Sequence, residues 1–232
     1  MIKDTELYLS ARVFLYELGH SVFGGEPNDE LLSFLVSDEN RQLLMMNTED
    51  FGGPAAQLAQ TFAELKSQSE SDTCGAVLEN LKSDYTHLIL GLGGKKESYP
   101  WESYYINYRR MLFQESTLAV RESYRRFGYQ AHAYGRIPED HFSLECAFIA
   151  ELGKRTIDAL SRNEKSEYLG LLKGQLAFLE EHLLKWGPRY VTDLRTDRRE
   201  SLYTAVAELI MDVASRDSSL LKALIEKEDY TL

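Results

Sequence analysis

The stretch Leu169-Gly170-Leu171-Leu172-Lys173-Gly174-Gln175-Leu176-Ala177-Phe178-Leu179-Glu180-Glu181-His182-Leu183 carries leucine at 169, 172, 176, 179 and 183. Steps of three and four return a side chain to one face of an α-helix, whereas a strand repeats every two residues. The spacing predicts a helix with the narrow apolar seam of tight helix packing. The same period runs outward in both directions. Leu7, Ala11, Phe14 and Leu18 form a first stripe, stopped by Gly24-Gly25. Pro54 is expected to open a helix, where its missing N–H costs nothing, with Leu58, Phe62 and Leu65 inward. Val77, Leu81, Tyr85 and Leu88 make a third stripe, closed by Gly91-Leu92-Gly93-Gly94. A further helix is predicted from about Ser116 to Phe127, ended by Gly128 at the C′ position. Pro138 is expected to start a helix that aligns His141, Glu145, Phe148 and Leu152. Trp186-Gly187-Pro188 reads as the end of the leucine helix, and Leu202, Val206, Leu209 and Val213 mark the last long one. No segment alternates with period two, so the fold class is all-α, a single multi-helix bundle.

The chain has 232 residues, with 44% hydrophobic and 27% charged, enough for one large helical domain or two small ones with a real core. The polar stretch 129–136 reads as a hinge between an N-terminal half, 1–128, and a C-terminal half, 137–232. Such a hinge would let a monomer form a domain-swapped dimer. The two cysteines, Cys74 and Cys146, have no metal-ligand spacing and read as reduced thiols of a cytoplasmic protein. Met1 to Glu6 carries acids where a secretory signal needs basic residues, and charges interrupt every apolar run short of a membrane span. The formal net charge of −11 repels nucleic-acid phosphates and favours basic partners, such as a peptide bearing arginines.

Catalytic signatures are missing. The histidines at 20, 87, 132, 141 and 182 form no ligand pair, so no metal and no cofactor is expected. A phosphate loop ending at Gly94-Lys95 would need glycine where Ile89 stands and Ser or Thr where Lys96 stands. No GxSxG elbow supplies a nucleophile, so a binding role is preferred to an enzymatic one.

Two segments carry more information. The first joins Asp84-Tyr85, the glycine turn and Pro100-Trp101-Glu102-Ser103-Tyr104-Tyr105, where aromatics gather around a proline and an acid. Rigid rings of this kind either fill a core or line a groove for an apolar peptide. The second is Ile137-Pro138-Glu139-Asp140-His141, whose acids suit a helix N-terminus. Placed one turn before Glu145, His141 is expected to be oriented by that carboxylate. Asp84, Glu102, Glu139 and Asp140 would give the acidity that arginines require.

In this order, and with Leu112-Phe113-Gln114-Glu115-Ser116-Thr117-Leu118 between them, the segments resemble the TorD/DmsD/NarJ family of redox-enzyme maturation chaperones, most closely its TorD/DmsD branch. The likeness covers roughly residues 80–155. It implies an all-helical cytoplasmic chaperone that binds the twin-arginine signal peptide and the apo-form of a molybdopterin-containing oxidoreductase, of dimethyl sulfoxide or trimethylamine oxide reductase type. A NarJ-like assembly chaperone for a nitrate reductase-type subunit is the alternative within the family, and a nucleotide-hydrolysing enzyme a third reading. The implied peptide-binding residues are Asp84, Tyr85, Trp101, Glu102, Ser103, Tyr105, Glu139, Asp140 and His141. Leu92 and Tyr104 depart from the family pattern.

Overall fold

A computed structural model describes residues 5–46, 48–72, 75–92, 98–106, 111–130, 137–196 and 201–229. Among these the chain is helical, in the order α1 (Thr5–Phe23), α2 (Asp29–Leu35), α3 (Asp38–Met46), α4 (Thr48–Ser71), α5 (Ala76–Leu88), α6 (Glu102–Ile106), α7 (Glu115–Arg126), α8 (Phe142–Ser161), α9 (Lys165–Phe178), a π turn (Leu179–Leu183), α10 (Leu184–Thr196) and α11 (Leu202–Asp229). The fold is an all-α bundle, and none of the described helices is long and apolar enough to cross a membrane.

At the centre α1 crosses α8, and α11 packs across α1, α4 and α9. Small residues permit the close crossing. A Cβ on Gly153 of α8 would lie 2.7 Å from Val13, and one on Gly19 of α1 would lie 3.0 Å from Cys146 Sγ. The N-terminal and C-terminal helices thus share one core. The inferred hinge, 129–136, falls outside the described residues except for Tyr129 and Gln130, and the Tyr129 ring packs on Tyr124 and Phe148.

Several expected boundaries hold and others shift. The first helix ends before Gly24-Gly25, the third stripe is α5, and Gly128 follows α7 with φ of 64°. Cys146 is a buried free thiol, while Cys74 and Gly93-Gly94 lie outside the described residues. Leu7 leaves its stripe and is 62% exposed, because α1 buries Leu9, Val13, Tyr16 and Val22 instead. Pro54 lies inside α4, which starts at Thr48; packing of α4 against α3 and α11 sustains the extra turns despite the missing N–H.

Pro138 does not start a helix. Residues 138–140 form a turn and α8 begins at Phe142, with His141 as its N-cap. Nor does Trp186-Gly187-Pro188 end one, since α10 continues to Thr196. The π turn adjusts the backbone before the proline, as the Leu184 N–H reaches back to Leu179 O. Gly187 serves packing there: a Cβ on it would lie 2.3 Å from Met211 Sδ on α11. The leucine seam is only partly inward, with Leu172, Leu179 and Leu183 buried and Leu169 and Leu176 half-buried.

One polar network is sealed in this core. Arg12 of α1 donates from Nε to Asp217 Oδ2 of α11 (2.8 Å) and from Nη1 to Gln175 Oε1 of α9 (2.7 Å). Tyr8 and Tyr16 donate to the same carboxylate at 3.0 and 2.9 Å, and Gln175 donates to Thr156 Oγ1 of α8 at 2.8 Å. Arg12, Asp217, Gln175 and Thr156 are fully buried. Burial is the largest influence and works against the Arg12 charge, but Asp217, Tyr16 and Tyr8 together outweigh it and hold the guanidinium ionised. Asp217→Ala should therefore strand a buried cation and cost about 3–5 kcal/mol, whereas replacing both partners by Met and Leu should cost less. Urea unfolding checks this; a wild-type midpoint for Asp217→Ala would refute the clamp.

Candidate functional site

The two informative segments, about forty residues apart, meet. Glu102 N–H donates to Asp140 O (2.9 Å) and Phe142 N–H to Pro100 O (2.8 Å), so Trp101 and His141 form an antiparallel bridge. Their rings meet edge-on at 5.0 Å. After the turn, His141 keeps an extended backbone because α8 starts only at Phe142, and that lets 140–142 pair with 100–102.

Asp140 is fully buried, and its carboxylate holds two helices. Ser103 N–H in the first turn of α6 donates to Oδ2 (2.7 Å), and Thr117 Oγ1 in the first turn of α7 donates to Oδ1 (3.0 Å). A carboxylate there meets the positive end of each helix. Glu139 is 3% exposed, and its carboxylate takes a two-point hydrogen bond from Arg121 Nε and Nη2 at 2.8 and 3.0 Å. His141 caps α8: Ser143 N–H donates to its Nδ1 (3.1 Å), and Ser143 Oγ lies 2.9 Å from the same atom. The expected orientation of His141 by Glu145 is thus not what holds the imidazole; as N-cap it faces Ser143 instead, while the Glu145 side chain turns into the core.

Glu145 there meets Glu102. Trp186 Nε1 donates to Glu145 Oε2 (3.2 Å), and His182 Nδ1 lies 2.9 Å from Glu102 Oε2. The other ring nitrogen of His182 lies 3.1 Å from Ser123 Oγ, so the π turn is tied to both α6 and α7. Burial, then the neighbouring Glu102, pushes Glu145 well above the usual carboxylate range. Burial also raises Glu102, against the opposing pull of His182. Two buried neighbouring carboxyls resist ionising together, so the raised pair favours keeping a proton. Tyr105 stacks on Trp186 at 5.6 Å and accepts from Tyr99 N–H, and burial raises its phenol.

Asp84 and Tyr85 lie elsewhere. Tyr85 packs on Tyr203 at 6.1 Å, and Asp84 lines a groove between α4, α5, α10 and α11 to which no residue of the Trp101–His141 box contributes. The structure brings together Trp101, Glu102, Ser103, Tyr105, Glu139, Asp140 and His141, and leaves Asp84 and Tyr85 apart. It adds Thr117, Arg121, His182 and Trp186. A histidine in an otherwise apolar leucine seam was the signal for His182, since a buried imidazole needs a polar partner.

Near the box four apolar residues stand exposed. Ile106 at the end of α6, Met111 and Phe113 in the approach to α7, and Leu118 in its first turn are 46%, 49%, 69% and 58% exposed. Phe113 also has φ of 57°, a left-handed conformation that a bulky side chain rarely adopts.

The raised carboxyl pair has a consequence for pH. The folded chain keeps a proton that the unfolded chain releases above the ordinary value of 4.5, so stability falls as pH rises from there toward the raised pKa of Glu145. Glu145→Gln can still accept from Trp186, with nothing to ionise. Its unfolding free energy should decline less than that of the wild type between about pH 5 and 8. Parallel profiles from urea titrations would contradict the shared proton.

Comparison with known proteins agrees with the geometry. The model of the family described as nitrate reductase delta subunit matches residues 48–192, more than half of the chain. The chain is 24% identical to chaperone protein TorD of Psychrobacter sp., over 81% of this chain and 88% of that protein. It is 25% identical to chaperone protein TorD of Shewanella oneidensis, over 93% and 92% respectively. The same named chaperone of Aliivibrio salmonicida is 25% identical over 95% and 99%. With the family model matched over residues 48–192 and the relatives aligned over most of its length, the chain belongs to the nitrate reductase delta subunit family, the TorD/DmsD/NarJ group of redox-enzyme maturation chaperones.

Proposed function

We propose that this protein is a cytoplasmic chaperone, not an enzyme, that binds the twin-arginine signal peptide of a molybdopterin-containing oxidoreductase of the dimethyl sulfoxide or trimethylamine oxide reductase type. It holds the apo-enzyme until its cofactor is inserted. The carrying observation is the apolar edge mounted on the box: Asp140 pins the starts of α6 and α7, whose neighbouring residues Ile106, Met111, Phe113 and Leu118 stand exposed. A signal peptide offers an apolar stretch beside its arginines, and such an edge is its complement. In this reading the acids of the box are frame rather than contact, because Glu102, Glu139 and Asp140 are buried and engaged within the chain. Trp101, Ser103, Tyr105 and His141 fix the edge in place, and the Trp101 ring, half-buried, is the part of the box that meets the peptide. The description of the matching family favours a second client, the catalytic subunit of a nitrate reductase.

Calorimetry with synthetic signal peptides separates these readings. A dimethyl sulfoxide or trimethylamine oxide reductase peptide should bind, and weaken as salt rises, because charges at exposed positions are screened within about 8 Å at physiological ionic strength. No binding to any such peptide, with capture of a nitrate reductase subunit lacking its leader, would favour the second client. Phe113→Asn gives a sharper test. Asparagine tolerates the left-handed backbone, so the variant should melt at or above the wild-type temperature while binding the peptide about tenfold more weakly. Unchanged affinity would remove Phe113 from the contact.

A further inference from the structure

At about 100° per residue, α7 turns Thr117, Val120 and Tyr124 inward and Leu118 outward. Its backbone runs close chiefly to α6, so the roll of the helix about its own axis is left to side chains. Arg121 and Ser123 stand on opposite flanks of the inward face, separated by about 160° around the axis. On one flank Arg121 holds Glu139 through two hydrogen bonds. On the other, Ser123 Oγ lies 3.1 Å from His182 Nε2. The Tyr124 ring, packed on Phe148 and Phe178, is the pivot between them. Ties on both flanks resist rotation in both senses, as neither could alone. A roll of about 20° at a side-chain radius of about 5–6 Å displaces an outward residue by about 2 Å. Leu118 is such a residue, and it is 58% exposed.

His182 reaches Ser123 from a place where the helix is irregular. The π turn Leu179–Leu183 closes with the Leu184 N–H on Leu179 O, and single π turns inside helices frequently carry functional side chains. The His182 ring is buried, packs on Phe178 at 4.8 Å and brings Nδ1 within 2.9 Å of Glu102 Oε2 in the first turn of α6. A count of protons fixes the direction of these contacts. The Ser123 hydroxyl has one proton, which it donates to Ala119 O at 3.1 Å, so His182 Nε2 is the donor to Ser123 Oγ. Nδ1 and Glu102 Oε2 then share a proton, since two bare lone pairs would repel at that distance. The imidazole is thus a rigid spacer between the start of α6 and one flank of α7. Asp140 joins the same two helices, but it does so at Thr117 on the inward face, which fixes where α7 starts rather than how it is rolled.

We propose that His182 is a positioning residue for client binding: holding Ser123 from the π turn, it sets the roll of α7 and with it the outward direction of Leu118. The proposal rests on the reading of the exposed apolar residues near the box as the peptide contact. The experiment uses the full chain, a fluorescein-labelled twin-arginine signal peptide of a trimethylamine oxide reductase, and thermal melting of each variant. Ser123→Ala removes the flank tie and should weaken the peptide by about fivefold, the worth of one hydrogen bond. Its melting temperature should change little, because the helix propensity of alanine offsets the lost bond. Ser123→Thr keeps the hydroxyl and should restore binding. His182→Phe keeps the ring on Phe178 and loses both polar contacts, so it should weaken the peptide as well, and adding Ser123→Ala to it should weaken binding no further. A residue with a structural role alone would lower the melting temperature and leave the affinity of the folded protein unchanged. Should His182→Phe not fold, the two Ser123 variants decide alone. Wild-type affinity in Ser123→Ala, or a loss that Ser123→Thr does not restore, overturns the role of His182 while the chaperone reading stands, since the wild-type protein still binds the peptide. Absence of binding by the wild-type protein overturns both.

Discussion

A guanidinium with no exposure to water is the constraint on which this bundle depends. Removing Arg12 from solvent is costly, and the cost is offset only if its donors meet acceptors in fixed positions. Those acceptors come from α9 and α11, and the accepting Gln175 in turn donates to α8, so four helices must be correctly placed before the charge is satisfied. Apolar packing alone would tolerate sliding of α1 along α8. The network does not, and the near contacts at Gly19 and Gly153 then close the crossing. Since the position of α8 fixes its first residue, Phe142, the clamp also sets where residues 140–142 can pair with 100–102.

The box spends its acids on itself. Asp140 satisfies donors at the starts of two helices, Glu139 neutralises Arg121, and Glu102 joins His182 and Glu145. A carboxyl pair that favours keeping a proton is a poor device for stability at neutral pH, and a hydrophobic replacement of equal volume would pack without that penalty. What the arrangement secures is position. Three helices and a π turn are referred to one small set of polar atoms, and a bridge between distant segments carries no such geometry unless its side chains are tied.

Helical periodicity was readable in the chain because it depends on neighbours three and four residues away, and α1, α5, α7 and α11 lie where their apolar residues indicate. The prolines were not. Pro54 and Pro188 sit inside helices that packing sustains, and Pro138 precedes a turn and a bridge at His141 whose partner, Trp101, lies forty residues earlier. Local sequence cannot distinguish a proline that starts a helix from one that a distant contact accommodates. The candidate site was legible as a set of residues but not as a set of roles. Glu139 and Asp140 look like solvent-facing acids, and only the fold shows Arg121, Ser103 and Thr117 waiting for them. Asp84 looked like part of the same cluster because it precedes it in order, yet order along a chain does not survive the turn after α5.

The exposed apolar edge raises a problem that the charge of the chain helps to solve. Residues such as Phe113 and Leu118 at the surface invite association between copies, and a large uncovered apolar patch normally marks a binding site or an aggregation liability. A net charge of −11 opposes self-association at long range. The left-handed backbone at Phe113 fits the same division of labour. The ring is kept outward at a cost in local conformation that an inward-packing residue would have no reason to bear, and the tie from Asp140 to Thr117 holds the adjoining turn of α7 against relaxation. Repulsion between like chains and a fixed, outward ring together let an apolar surface stay exposed while opposing association of the chain with itself.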